Sequence, residues 1–154
     1  GYAFRLAWSP DGRQLAAARQ KTERAAEIEL WDVAQSRLVR RLTGHRRLIH
    51  SLAYSPDGRL LLSGSKDHTV RLWEPGPGRL AQVLEHSRAV SAVTFLPDGQ
   101  RFVANDWKTI RVYPVQRPVW SLDPDGLLKR AQREAGLVLE EFNLRPDEAK
   151  GNGP

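Results

Sequence analysis

The chain has 154 residues, 40% hydrophobic and 27% charged, which fits an ordinary globular chain of about one domain. It holds no cysteine, excluding a disulfide framework, a thiolate metal site and a thiol nucleophile, and its four histidines are too scattered for a metal cluster. The formal charge of +6 is carried mostly by arginine, whose planar head suits bidentate and stacking contacts with an acidic partner.

In chain order, alternation of apolar and polar residues predicts strands at 4–8, 14–19, 26–33 and 38–43, with the polar stretch 20–24 read as a long loop. Ser9-Pro10-Asp11-Gly12 separates the first two strands. That run is turn chemistry: proline presets φ, aspartate bonds nearby backbone N–H groups, and glycine accepts positive φ. A second set follows at 49–55, 59–65, 69–74 and 80–85, with Ser55-Pro56-Asp57-Gly58 after its first strand and Lys66-Asp67-His68 turning its second into its third. A third set is predicted at 90–96, 101–105 and 109–115, with Leu96-Pro97-Asp98-Gly99 in the matching place.

The turn runs recur at intervals of 46 and 41 residues, Trp31, Trp73 and Tyr113 at 42 and 40, and His45 and His86 at 41. Three independent markers sharing one period mean repeated units built from strands. From about residue 123 the pattern changes. Asp123-Pro124-Asp125-Gly126 reads as a turn and helix start, and Leu127, Leu128, Ala131, Ala135 and Val138 form one apolar helical face. Gly136 is a helix stop, 137–144 reads as either extended or helical, and 148–154 is polar.

Across residues 3–115 these motifs resemble the WD-repeat family, most closely in Gly44-His45, Ser55-Pro56-Asp57-Gly58, Ser63-Gly64-Ser65, Asp67 and Val70-Arg71-Leu72-Trp73-Glu74. The resemblance implies an all-β fold of three four-stranded antiparallel blades, a partial β-propeller, with a C-terminal helical tail. The blades fall at about 1–43, 44–85 and 86–122, and the tail at 123–154. It also implies a buried hydrogen-bonded tetrad of His45, Ser63, Asp67 and Trp73. Such a set is structural, because a catalytic serine must be exposed beside an oxyanion pocket. In the third unit Ala104 stands at the serine position, Tyr113 replaces tryptophan, and Asp106 fits only with a shift. The first unit has Trp31-Asp32 but no aspartate in its turn. Both outer blades are therefore expected to rely more on apolar packing.

Three blades are fewer than the roughly four to eight of familiar propellers. The lack of methionine and the start in mid-repeat read as the C-terminal part of a longer propeller, with copies completing a ring together as the alternative. A fourth strand for the last blade is expected from 118–122 or from a distant segment, and the tail helix either covers a blade edge or binds a partner. No apolar run approaches the roughly 20 residues of a membrane helix and no signal-peptide layout opens the chain, so no membrane is expected and a cytoplasmic location is.

By the same resemblance, the loops joining second to third strands and fourth to first strands crowd one rim. They place Arg46, Arg47, Lys66, His68, Arg88, Trp107 and Lys108 there. Trp107 is either an exposed anchor or a filler of the shortened turn, and His50 is a packing residue. The expected function is a noncatalytic protein-interaction scaffold holding a protein or peptide partner, an acidic one being compatible with the charge, with no metal and no cofactor. The alternative is the recruiting module of a multidomain bacterial signalling enzyme. Nucleic-acid binding is the weakest reading, since no aromatics interleave the arginines.

Overall fold

The computed structural model describes residues 3–116. The boundary near 122, the strand expected at 118–122 and the tail helix lie outside the described residues. Within them there is no helix, hence none long and apolar enough to cross a membrane. Eleven strands form three antiparallel sheets.

The first sheet has the order β1 (Ala3–Trp8), β2 (Gln14–Thr22), β3 (Ala25–Asp32), β4 (Arg37–His45). The second has β5 (Ile49–Tyr54), β6 (Leu61–Ser65), β7 (Thr69–Glu74), β8 (Arg79–Glu85). In the third, β9 (Ala92–Phe95), β10 (Arg101–Asn105) and β11 (Ile110–Pro114) are described. The registers repeat. Leu15 lies opposite Trp31, Leu61 opposite Trp73, and Phe102 opposite Tyr113.

The Pro-Asp-Gly runs make the β1–β2, β5–β6 and β9–β10 turns. In the first, Ser9 Oγ donates to Asp11 at 2.6 Å and accepts from Gln14 N–H at 2.8 Å, while Gly12 takes φ 69°. Ser55 and Gly58 reproduce it, with Ser55 Oγ accepting from Leu60 N–H at 2.9 Å and Gly58 at φ 70°. The side chains within each turn thus satisfy its own backbone groups, Asp98 doing so in the third by accepting from Gln100 N–H at 2.8 Å.

One expectation is corrected. Residues 20–24 are no long loop: β2 continues to Thr22 and β3 begins at Ala25, leaving Glu23 and Arg24 as a tight tip. Gln20, Lys21 and Thr22 are strand residues, and Lys21 and the neighbouring Arg19 have cross-strand partners. Arg19 pairs with Glu29 at 3.0 Å and Lys21 with Glu27 at 3.2 Å, so the hairpin extends on charge pairing where its apolar alternation stops.

Each sheet is two-sided and packs on its neighbour. Between the first and second sheets, Ala16, Ala18, Ala26, Ile28, Leu30 and Leu42 meet Leu61 and Trp73, with Leu52 and Tyr54 at the margin. Between the second and third, Leu62, Val70 and Leu72 meet Val90, Val93, Phe102 and Ala104, with Phe95 and Tyr113 at the margin. The pattern is directional: the aliphatic face of one sheet receives the aromatic face of the next. Gly64 lets the sheets close, for a Cβ there would lie 2.7 Å from Val90 Cγ1. The first sheet's other face carries Trp8 and Trp31, at the repeat positions of Tyr54 and Trp73, and Trp8 is 57% exposed.

Candidate functional site

The loops at one end of the sheets are fixed from within by a buried polar chain. Trp73 Nε1, a donor only, gives its proton to Ser63 Oγ at 2.8 Å. The Ser63 hydroxyl is then free to donate to His45 Nε2 at 2.7 Å, so His45 holds its proton on Nδ1 and donates it to Asp67 at 2.8 Å. Each link uses one proton, and the chain closes with a neutral imidazole. Burial lowers the His45 pKa against the raising effect of Asp67, which agrees with that tautomer. Burial alone would raise the Asp67 carboxyl, but the hydrogen bonds from His45, Thr69 and the Arg46 N–H hold it well below the carboxylate range.

Ser63 is fully buried and both its neighbours are committed, so this Ser-His-Asp set has no exposed nucleophile. Its product is rigidity at the rim. Arg46 N–H donates to Asp67 at 2.9 Å, Ser65 Oγ donates to the Arg47 and Leu48 carbonyls at 3.0 Å each, and Lys66 N–H donates to the Leu48 carbonyl at 2.8 Å.

The third sheet builds part of this chain. Its two departures from the tetrad fit one another: Ala104 leaves out the serine oxygen, and the Tyr113 hydroxyl reaches His86 Nε2 directly at 3.2 Å. Asp106, shifted in the shortened turn, is buried 3.6 Å from His86 Nδ1, too far for a hydrogen bond, and leaves that nitrogen without one. The Thr109 hydroxyl at 2.8 Å and its N–H at 2.9 Å, with further help from Lys108 N–H and His86, hold the Asp106 carboxyl down to about 2. The expectation that this blade leans on apolar packing is therefore incomplete.

In the first sheet Ala17 stands at the serine position, and the Trp31 indole N–H turns to Glu29 at 3.3 Å. Glu27 and Glu29 are buried, Glu29 against Arg19 and Arg41, Glu27 against Lys21 and Arg41. Sequence reasoning missed this network. Its signal was two acids two apart on one strand facing bases two apart on the next.

At the rim Arg46, Arg47, Lys66, His68, Arg88, Trp107 and Lys108 are all exposed. Arg47 and Lys66 line two adjoining cavities: one of about 530 Å³ with Gln20, Glu23, Arg24 and Leu48, the other of about 420 Å³ with Arg46, Asp67, His68 and Ala89. Arg88, Trp107 and Lys108 line neither. Arg24, at the tip of the β2–β3 hairpin, is a rim cation absent from the sequence-based set. Trp107 does not fill the shortened turn. It is 78% exposed at φ 71°, in the same left-handed turn position as His68 at φ 69°. That conformation is strained for a bulky side chain. His50 is half-buried, its carbonyl accepting Arg5 Nε at 2.6 Å, and burial with the charges of Arg5 and Lys66 lowers its pKa. Among the described residues no cluster suits a metal ion.

Comparison with known proteins agrees with this architecture. The family profile described as "WD domain, G-beta repeat" matches residues 36–74 and 78–114, the strands that carry the tetrad and its shortened counterpart. The chain belongs to the WD40 repeat family. An uncharacterized WD repeat-containing protein of Synechocystis is 35% identical over 100 residues, covering 64% of this chain and 27% of that protein. WD repeat-containing protein 1 of Rattus norvegicus is 32% identical over 99 residues, covering 63% of this chain and 16% of that one. The WD40 chain thus spans about a quarter or less of these relatives. Among solved structures, the Cps50 (Swd1) β-propeller domain of Myceliophteria thermophila superposes with a TM-score of 0.69 at 25% identity, over 77% of this chain and 38% of that one. The sheets are propeller blades.

Proposed function

We propose that this WD40 chain is a noncatalytic scaffold that holds a protein or peptide on its loop rim. WD40 propellers are generally interaction scaffolds, and the chemistry here supports the same reading. The observation that carries it is Trp107, a large apolar side chain held out in solvent by a strained turn, on the same rim as Arg46, Arg47, Lys66 and Arg88. Tryptophan and arginine dominate binding hot spots because flat, stiff groups cover area at low entropy cost. The backbones of Arg46, Arg47 and Lys66 are clamped, which removes the main-chain part of the ordering cost.

A peptide-display selection on the chain tests this. Peptides are expected to be enriched whose binding is lost with Trp107→Ser combined with Arg46→Glu, and kept with Arg13→Glu combined with Arg59→Glu on the opposite turns. Enrichment of no peptide, or of peptides indifferent to the rim substitutions, would overturn the reading.

A further inference from the structure

We propose that the trough between the first and second blades is a docking site for a short acidic peptide segment. The inference rests on the scaffold reading and names the chemistry of what part of that rim holds.

The trough exists because the β2–β3 hairpin is long. From Ala17 to Trp31 it contains four more residues than the equivalent stretch from Ser63 to Trp73. Two extra residues on each strand, at about 3.3 Å apiece, lift the Glu23-Arg24 tip roughly 7 Å above the rim. That tip forms one wall, facing Arg47, Leu48 and Lys66 across the cavity of about 530 Å³. The second cavity continues past Arg47 and Lys66 toward Asp67, His68 and Ala89.

The charges in the trough are unbalanced. Arg24, Arg46, Arg47 and Lys66 make no ion pair among the described residues, whereas Arg19, Lys21 and Arg41 on the open face of the same first blade are paired with Glu27 and Glu29. Of the acids present, Asp67 is already occupied by His45, Thr69 and the Arg46 N–H. Glu23 and Asp67 together balance two of the four cations, so the trough keeps an excess of positive charge. Like charge gathered along a concave surface favours an anionic occupant.

Shape and lining select among anions. Leu48 and Ala89 give the floor apolar surface, which suits a segment with an aliphatic residue between carboxylates. Neither cavity is lined by Phe, Tyr or Trp, and the second offers an unpaired base only His68 and the arginine planes, a thin platform beside the charge that suits carboxylates. The carbonyls of Arg47 and Leu48 and the N–H of Lys66 are fixed by the Ser65 and Leu48 bonds, so the cations start from rigid backbone.

The test is fluorescence anisotropy of the full chain with a fluorescein-labelled peptide of alternating Glu and Leu, its Gln-Leu counterpart, and a single-stranded oligothymidine. The Glu-Leu peptide is expected to bind, to lose about tenfold in affinity between about 50 and 300 mM NaCl, and to lose about tenfold with Arg47→Glu/Lys66→Glu. Arg24→Glu, at the hairpin tip, should weaken it several-fold, with unchanged circular dichroism showing that both variants fold. Equal binding of the Gln-Leu peptide, indifference to the substitutions, or tighter binding of oligothymidine would overturn the inference. If display selection still yields rim-dependent peptides without acids, only this inference falls. If it yields none, the scaffold reading falls first.

Discussion

The two buried networks offer an exchange experiment. Ser63→Ala removes the oxygen that accepts from Trp73 and donates to His45, leaving two buried polar atoms without partners. Each orphaned group costs about 1–3 kcal/mol, so the single change should destabilise the chain by about 2–5 kcal/mol. Trp73→Tyr alone shrinks a side chain that is 2% exposed and places a hydroxyl against Ser63, costing about 2–3 kcal/mol. The third blade already pairs Ala104 with Tyr113, and there the hydroxyl reaches His86 directly at 3.2 Å. The double variant Ser63→Ala/Trp73→Tyr should re-create that link to His45. Its loss should fall short of the sum of the single losses by about 1–2 kcal/mol, the coupling expected of neighbours sharing a network. Urea unfolding followed by far-ultraviolet circular dichroism, with equal m-values across the cycle, reads the coupling. Additivity within about 0.5 kcal/mol would refute the claim that Tyr113 substitutes for the Ser-Trp pair.

Two further outcomes follow from the buried groups. His45 has a folded pKa below its ordinary value of 6.5 and Asp67 one below its ordinary 3.8, so in both windows the unfolded chain binds more protons. Stability should therefore be full above pH 6.5, decline as His45 protonates in the unfolded chain, and fall again below about pH 4; Asp67→Asn should flatten the acid branch, and a urea midpoint rising on acidification would contradict this. Gly64→Ala places a methyl 2.7 Å from Val90 Cγ1 and 3.0 Å from Val93 Cγ1, and should cost about 1–3 kcal/mol, with Val90→Ala restoring part of it in thermal melts.

The repeat was legible because its markers are local: Pro-Asp-Gly turns close hairpins on their own chemistry, and Trp31, Trp73 and Tyr113 fall opposite Leu15, Leu61 and Phe102 as one period demands. The tetrad residues were legible only through family resemblance, since nothing in their spacing states that His45 reaches across to Asp67 and Ser63. The stretch 20–24 reads as loop because it is polar, while Lys21 continues the hairpin by pairing across it with Glu27. Asp106 is read as fitting only with a shift in the shortened turn, and it lies buried 3.6 Å from His86 Nδ1. In both places the partner is distant in sequence.

The alternation of aliphatic and aromatic sheet faces gives the arc of blades a sense, like arrows laid in a row. Ala16, Ala18 and Ile28 look toward Tyr54 and Trp73, and Ala53 and Leu72 toward Phe95 and Phe102. Trp8 and Trp31 stand where those aromatic residues stand, looking backward. Whatever covers them in the manner of the interior joints must bring an aliphatic surface. Two identical copies meeting through this same face would set indole against indole and miss that match.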